Sequence, residues 1–297
     1  MNFIFKKKNA NSPKDLINFL IINLHEELNK TKEINNNNNN NNDMNNQLDE
    51  RDQKRMLEYF GNNIFMKENK SIISDIFFGI RETIIKCDKC QNSNYNYQIY
   101  YFLDFSLESI FKFINENNSQ RLLQNQIYNN IGFSINQNFI NIQNNNNNNI
   151  INIYNCFEYA QRINKPNFNN NIYCNTCKIK CPFFYQINLS ILPKILIIFI
   201  NRNEKIKTNI KFVFYEYLNL VNYISFKNTG FNYKLLGIVS SMKDNETEKH
   251  FIAYCRNIID SKWYKYNDII VSQVNNFKEE VIENSTPYIL FYQKLND

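Results

Sequence analysis

Lys249-His250-Phe251-Ile252-Ala253-Tyr254-Cys255, followed by Trp263-Tyr264-Lys265-Tyr266-Asn267-Asp268, carries one of only two histidines in a chain of 297 residues. His250 lies in an apolar, strand-like run, and Asn267-Asp268 close what reads as the next strand. An imidazole that acts as a base needs a second group on its far ring nitrogen, to fix the tautomer and the ring orientation. Asn267 and Asp268 are placed to supply it. A core histidine beside a β-turn would give the same local pattern, so the rest of the chain must decide between the two.

A chain of this length holds one large or two small domains. Hydrophobic residues make up 43% and aromatics 15%, with 25 Phe and 19 Tyr, which is ample for a core. Only five Gly and five Pro are present, so turns must lean on Asn, Asp and Ser. The net charge of +6 comes from scattered Lys and Arg. Without a block of like charges it is no nucleic-acid footprint. The apolar run Ile195 to Ile200 suits a buried strand and falls far short of the roughly 20 residues that a membrane span needs. Met1-Asn2-Phe3-Ile4-Phe5-Lys6-Lys7-Lys8 has no apolar core long enough for a signal peptide. A cytoplasmic or nuclear location is therefore expected. Seven cysteines, an odd number, then argue for metal or catalytic use and against a disulfide framework.

Residues 12–30 read as a helix. Ser12 can cap it, Pro13 suits its first position, and Asp15 follows the cap by three residues, as in a capping box. Leu16, Leu20, Leu24 and Leu28, joined by Ile17, Phe19 and Ile21, form one wide apolar face. Asn35 to Asn42 and Asn144 to Asn149 are pure Asn runs with no apolar surface to offset chain entropy. They predict disordered insertions over 34–47 and around 124–150. Tyr97 to Phe105 is aromatic-rich and strand-like. From Phe183 onward six strands are expected, near 183–190, 194–202, 233–241, 250–256, 262–267 and 287–293, with no βαβ alternation. That pattern predicts an α+β domain with an antiparallel-dominated sheet.

Cys87-Asp88-Lys89-Cys90 and Cys174-Asn175-Thr176-Cys177 are two C-x-x-C knuckles. Each places two thiolates on one tight turn, and four complete a tetrahedral zinc shell with no open position. A structural zinc held by Cys87, Cys90, Cys174 and Cys177 is therefore expected, and two knuckles joined by strands make a zinc ribbon. Of the remaining thiols, Cys255 alternates with Ala253 along a strand and reads as core. Cys181 lies near the second knuckle and is a candidate spare ligand.

Taken in order, these blocks resemble the ubiquitin-specific proteases, the papain-like family of cysteine deubiquitinases. Ser12-Pro13-Lys14-Asp15-Leu16-Ile17-Asn18-Phe19-Leu20, running into Leu24-His25-Glu26-Glu27-Leu28-Asn29, is similar to the family's Asp-x-x-Glu-Phe helix and its Leu-His-Glu-x-Leu-Asn continuation. Ser71 to Gly79 resembles the segment before the first knuckle. Leu192-Pro193-Lys194-Ile195-Leu196-Ile197-Ile198-Phe199-Ile200-Asn201-Arg202 resembles the strand that follows the second knuckle. His250 to Asp268 and Tyr288-Ile289-Leu290-Phe291-Tyr292 resemble the histidine box and the last strand. The resemblance implies a papain-like ubiquitin-specific protease fold: an incomplete helical thumb over 1–60, fingers with a zinc ribbon over 71–190, and a palm over 191–297. It implies that His250 is a general base, with Asn267 orienting it and Asp268 assisting. Phe251 would line the channel for ubiquitin's Gly-Gly tail, and Asp15 would pair with the basic part of that tail. Ubiquitin or a ubiquitinated protein is the implied partner; neither a membrane nor a nucleic acid is expected.

The family's nucleophile lies in a cysteine box upstream of the Asp-x-x-Glu-Phe helix, whereas the first cysteine here is Cys87. The expectation is a partial catalytic domain that is inactive alone. Lys249 stands where Gly is usual, and Asn18 where Glu is usual. Two other readings stay open. One is a remnant that binds ubiquitin without cleaving it. The other is a zinc-ribbon nucleic-acid module, suggested by Lys86, Lys89, Lys178 and Lys180 around the knuckles.

Overall fold

A computed structural model describes residues 12–31, 57–115, 150–164, 171–202, 210–225, 231–244 and 248–295. Both Asn runs lie outside the described residues. Helix α1 (Pro13–Leu28) and a short helix α2 (Ile72–Phe77) precede strands β1 (Gly79–Cys87), β2 (Ser93–Tyr100) and β3 (Leu103–Ser106). Next come α3 (Leu107–Asn115), β4 (Ile150–Asn152) and α4 (Ile153–Ala160). The second knuckle lies between β5 (Ile172–Cys174) and β6 (Ile179–Cys181). The rest of the chain is β7 (Phe183–Ile191), β8 (Ile195–Asn201), β9 (Lys211–Val213), β10 (Tyr217–Asn219), β11 (Asn232–Asp244), β12 (Glu248–Arg256), β13 (Trp263–Asn267), β14 (Ile270–Gln273) and β15 (Pro287–Lys294).

The main sheet has eight strands in the order β14-β13-β12-β11-β15-β8-β3, with β10 beside β11. Its pairings are antiparallel except β3 with β8, as the pattern of short strands and turns predicts. A second antiparallel sheet, β2-β1-β7, carries the knuckles at its far end. The chain leaves this second sheet for the main one twice, from β2 to β3 and from β7 to β8. Tyr97 to Phe105, expected as one strand, is therefore divided: β2 ends at Tyr100, and β3 begins at Leu103 in the other sheet. Tyr101 and Phe102 fill the break with rings 5.0 Å apart, and Phe102 stacks edge-on to Phe199 at 5.0 Å. Ile150, expected at the end of an Asn-rich insertion, opens strand β4 instead.

Two cores cover the main sheet. The larger packs α3 and α4 against one face, joining Ile110, Phe157, Ile198, Ile252, Tyr254, Trp263 and Tyr292. The smaller packs α1 and α2 on the other face through Ile17, Ile21, Ile73, Phe77, Phe199 and Ile289. Buried Glu82 of β1 accepts hydrogen bonds from Tyr97 Oη at 2.9 Å and Ser225 Oγ at 2.7 Å, tying the second sheet to the segment beside the larger core.

The helix near residue 12 forms, but without the expected capping box. The Ser12 hydroxyl bonds Tyr288 Oη at 3.0 Å rather than the helix backbone. The wide apolar face also divides: Ile17 and Ile21 meet the sheet, while Leu16 (47%), Leu20 (44%), Leu24 (41%) and Leu28 (46%) remain exposed. The leucines form a partly exposed i, i+4 stripe along the outer side of the helix.

Gly79, the first residue of β1, lets the neighbouring strands β2 and β7 close in on it. A Cβ there would lie 2.5 Å from the Ile191 carbonyl oxygen and 2.6 Å from the Tyr100 ring. Gly79→Ala is expected to cost about 1–3 kcal/mol, as overpacking of a tight site does. Urea unfolding of the two proteins measures it, and equal midpoints would contradict the close approach.

Candidate functional site

Strands β12 and β13 pair antiparallel with Ala253 opposite Tyr266 and Tyr254 opposite Lys265. That register carries His250, near the start of β12, to the same end of the sheet as Asn267, the last residue of β13. His250 Nε2 and Asn267 Oδ1 lie 2.5 Å apart, partly buried. An amide oxygen can only accept, so Nε2 carries the hydrogen and donates it. Nδ1 is left as the basic nitrogen. Burial of Ile252, Tyr254 and Trp263 in the larger core fixes which residues of these strands face inward.

Asp268 is exposed in the two-residue turn between β13 and β14, with φ at 51°, a left-handed conformation that Asp tolerates. The ring bond goes to Asn267 and not to Asp268. The other histidine, His25, bonds Ser71 Oγ through Nδ1 at 2.7 Å and packs on Phe78, 4.7 Å between ring centroids. It joins α1 to α2.

Phe251 points to the opposite face from Ile252 and packs on Tyr288, with rings 5.1 Å apart. Tyr288 Oη in turn bonds Ser12 at the start of α1. Exposed Asp15, in the first turn of that helix, thus shares one side of the sheet with Phe251. Lys14 anchors the same turn by pairing with Asp104, its Nζ 5.1 Å from the Phe199 ring centroid. Tyr288 is the link that the sequence reading missed. It read only as a strand residue, because the partners that make it a link come from segments far apart in the chain.

The knuckles converge as their spacing predicts. The sulfurs of Cys87, Cys90, Cys174 and Cys177 all lie within 4.8 Å of one another. Cys87 and Cys177 are 3.9 Å apart, and Cys90 and Cys174 3.5 Å. Ligand sulfurs around a tetrahedral zinc stand about 3.8 Å apart, so the four thiols fit that ion. Burial opposes ionisation of Cys174. The backbone donors of Cys177 and Thr176 and the neighbouring thiols of Cys90 and Cys87 outweigh it, and hold this thiol down at about 6. Asn92 Nδ2 donates to Thr176 Oγ1 and Asp88 N to Pro182 O, closing one knuckle on the other. A fifth thiol, that of Cys181, is fully buried against the same group.

Among the described residues no helix is long and apolar enough to cross a membrane. The family described as ubiquitin carboxyl-terminal hydrolase matches residues 2–292. The chain is 27% identical over 245 residues to ubiquitin carboxyl-terminal hydrolase 8 of Saccharomyces cerevisiae, covering 76% of this chain and 42% of that protein. It is 33% identical over 131 residues to ubiquitin carboxyl-terminal hydrolase 10 of Arabidopsis thaliana, covering 41% of this chain and 14% of that one. Among solved structures, a SAGA DUB module of Ubp8 with Sgf11, Sus1 and Sgf73 superposes with a TM-score of 0.61 at 21% identity, over 99% of this chain and 52% of that one. The Ubp8 module bound to ubiquitin aldehyde gives 0.55 at 23% identity, over 82% and 46%. These likenesses carry the fold: a ubiquitin-specific protease fold with zinc-ribbon fingers and an antiparallel palm. The chain spans about half the length of these structures and less of the curated relatives.

Purified protein is expected to hold about one zinc ion per chain, and Cys87→Ser to remove most of it. Metal analysis checks this; less than about half an equivalent in the unsubstituted protein would count against the site.

Proposed function

The chain belongs to the ubiquitin carboxyl-terminal hydrolase family, and we propose on that premise that it is the base-bearing part of a thiol-dependent deubiquitinase. Its substrate would be the isopeptide or C-terminal bond of ubiquitin. The observation that carries this reading is the bond from His250 Nε2 to Asn267 Oδ1. With Nε2 engaged, Nδ1 is free to take a proton from a cysteine thiol. The resulting thiolate attacks the carbonyl, and His250 returns the proton to the departing amine. Water, deprotonated at Nδ1, then hydrolyses the acyl-enzyme. Asn267 keeps the ring oriented and holds the hydrogen on Nε2 throughout. Asp268 assists as a nearby negative charge. Phe251 lines the path of the ubiquitin tail, and Asp15 meets its basic residues. The solved relatives include one with ubiquitin aldehyde bound, which supports ubiquitin as the ligand class.

In this reading the nucleophile is supplied by polypeptide outside these 297 residues. Cys87, Cys90, Cys174, Cys177 and Cys181 sit together in the fingers. Cys156 is fully buried in the larger core, where burial and then Glu158 push its thiol well up. Cys255 alternates onto the face of β12 opposite His250. None of the seven is placed to give His250 its proton. In this reading residues 1–60 are the remnant of a helical thumb, 71–190 the fingers holding a structural zinc, and 191–297 the palm. Location is cytoplasmic or nuclear. A second reading, binding of ubiquitin without cleavage, keeps the same surface and needs no thiol. The uncovered α1 stripe favours it, since that face is open to a partner in the chain as it stands.

Four outcomes test this. A ubiquitin probe with a C-terminal electrophile is expected to form no adduct with the chain alone; an adduct at any of its cysteines would place the nucleophile inside it. Joined to a segment that supplies a cysteine box, the chain is expected to hydrolyse ubiquitin substrates. In that active form His250→Ala should lower kcat/KM by about 10²–10⁴-fold. Asn267→Ala should lower kcat more than it raises KM, with Asn267→Asp retaining more activity. Activity unchanged in His250→Ala would overturn the assignment of the base.

A further inference from the structure

Strand β14 is the outermost strand of the main sheet, and among the described residues no strand lies beyond it. All of its residues, Ile270 to Gln273, are exposed. The register of its hairpin sets which backbone groups face outward. Asn267 pairs with Ile270 across the two-residue turn, and Lys265 with Ser272. Val274 N donates to Trp263 O at 2.8 Å, which continues the same series of hydrogen-bonded pairs. Ile270, Ser272 and Val274 therefore turn their backbone groups inward to β13, and Val271 and Gln273 turn theirs outward.

Natural sheets guard such an edge with Lys, Pro or a bulge. Here the edge reads Ile-Val-Ser-Gln, without charge or proline, and pairs with β13 in unbroken register. Ile269, at the turn, is 97% exposed, Ile270 63% and Val271 56%. Tyr266, opposite Val271, adds a partly exposed ring to the same face. An apolar, uncharged edge with outward backbone groups is a template for an added strand.

Position and size choose the occupant. Ile270 stands opposite Asn267, whose Oδ1 holds the His250 ring. Phe251 and Tyr288, beside the path of the ubiquitin tail, lead from β12 towards β15, whereas the edge lies the other way, beyond β13. His250 hands its proton to the departing amine, so the polypeptide that carries the amine leaves on the β13–β14 side. A stable dimer buries about 1,200–2,000 Å². So short an edge buries on the order of a few hundred Å², too little to hold a second copy of this chain. A substrate segment is already tied to the site by its ubiquitin and needs only a weak contact.

We propose that the β14 edge binds the substrate segment next to the ubiquitinated lysine as an added, extended strand. This assignment rests on the deubiquitinase reading and names where its substrate lies. Neighbouring strands are about 4.8 Å apart, so the added strand runs roughly 14 Å from β12. The lysine itself is therefore a few residues outside the paired stretch, where the segment rounds the exposed Ile269. Backbone bonds at Val271 and Gln273 give affinity without a sequence code, and Ile270 and Val271 favour apolar side chains on the bound strand.

The chain alone is expected not to cleave ubiquitin conjugates, so their binding is read at equilibrium. Fluorescence anisotropy compares labelled ubiquitin with ubiquitin joined through its C-terminus to a lysine in a proline-free peptide containing Thr and Val. The conjugate is expected to bind at least about tenfold more tightly. Val271→Pro removes the outward N–H without breaking a bond to β13. It should bring the ratio close to one and leave the affinity for ubiquitin itself unchanged. A conjugate whose peptide is N-methylated at alternate amides repeats the test on unsubstituted protein, and should bind like ubiquitin alone. Equal affinity for ubiquitin and the first conjugate would overturn the proposal, as would a gain that survives both Val271→Pro and N-methylation. Sedimentation that shows a dimer abolished by Val271→Pro would give the edge to a second copy and overturn it too. Failure to bind ubiquitin in any form would sink the deubiquitinase reading itself, which is a different result.

Discussion

His250 and Asn267 meet because β12 and β13 pair in one register, with Ala253 opposite Tyr266. The bond between the two side chains does not set that register. A single hydrogen bond contributes about 1 kcal/mol net. Ile252, Tyr254 and Trp263 are all buried on one face of these strands, and burying a large apolar side chain contributes roughly 1.5–3 kcal/mol. A slip of β13 by one residue against β12 would turn Trp263 to the other face, and Asn267 with it. The core therefore fixes the polar pair. On the remaining face, Phe251 meets Tyr288, and Tyr288 meets the start of α1.

The fingers obey a different constraint. Around the knuckles the buried group is small, little more than Cys87, Cys174, Cys181 and Phe183. So little apolar surface cannot hold two tight turns against chain entropy, which costs about 1–2 kcal/mol per ordered residue. A metal bound by four thiolates can, since its binding free energy becomes folding free energy. Hydrogen bonds from Asn92 to Thr176 and from Asp88 to Pro182 add orientation rather than strength. The palm is held by burial, a metal at the knuckles would hold the fingertip by ligand bonds, and β1 and β7 join the two.

Helix α1 shows what the described residues leave open. Its inner side is anchored by Ile17, Ile21 and Lys14, yet Leu16, Leu20, Leu24 and Leu28 stay partly exposed. Natural surfaces seldom keep such a stripe bare.

Local signals in the sequence determined much of this protein. Apolar patterning placed six strands, β7 of the fingers and five of the palm, within a few residues, because a buried strand face writes its burial directly into the chain. The C-x-x-C spacing fixed the metal-binding knuckles, since two thiolates on one turn follow from local geometry alone. His250 and Asn267 stood out by rarity and by position on adjacent strands. Tertiary structure decided the rest. The split of Tyr97 to Phe105 between two sheets, the diversion of Ser12 from capping to Tyr288, and the choice of the Ile17/Ile21 side of α1 all depend on partners distant in the chain. So does the burial of Cys181 against the knuckles, which depends on how β5 and β6 pair and on what β1 brings to meet them. Periodicity records that a side chain is apolar or polar; only packing decides which of several equivalent partners it meets.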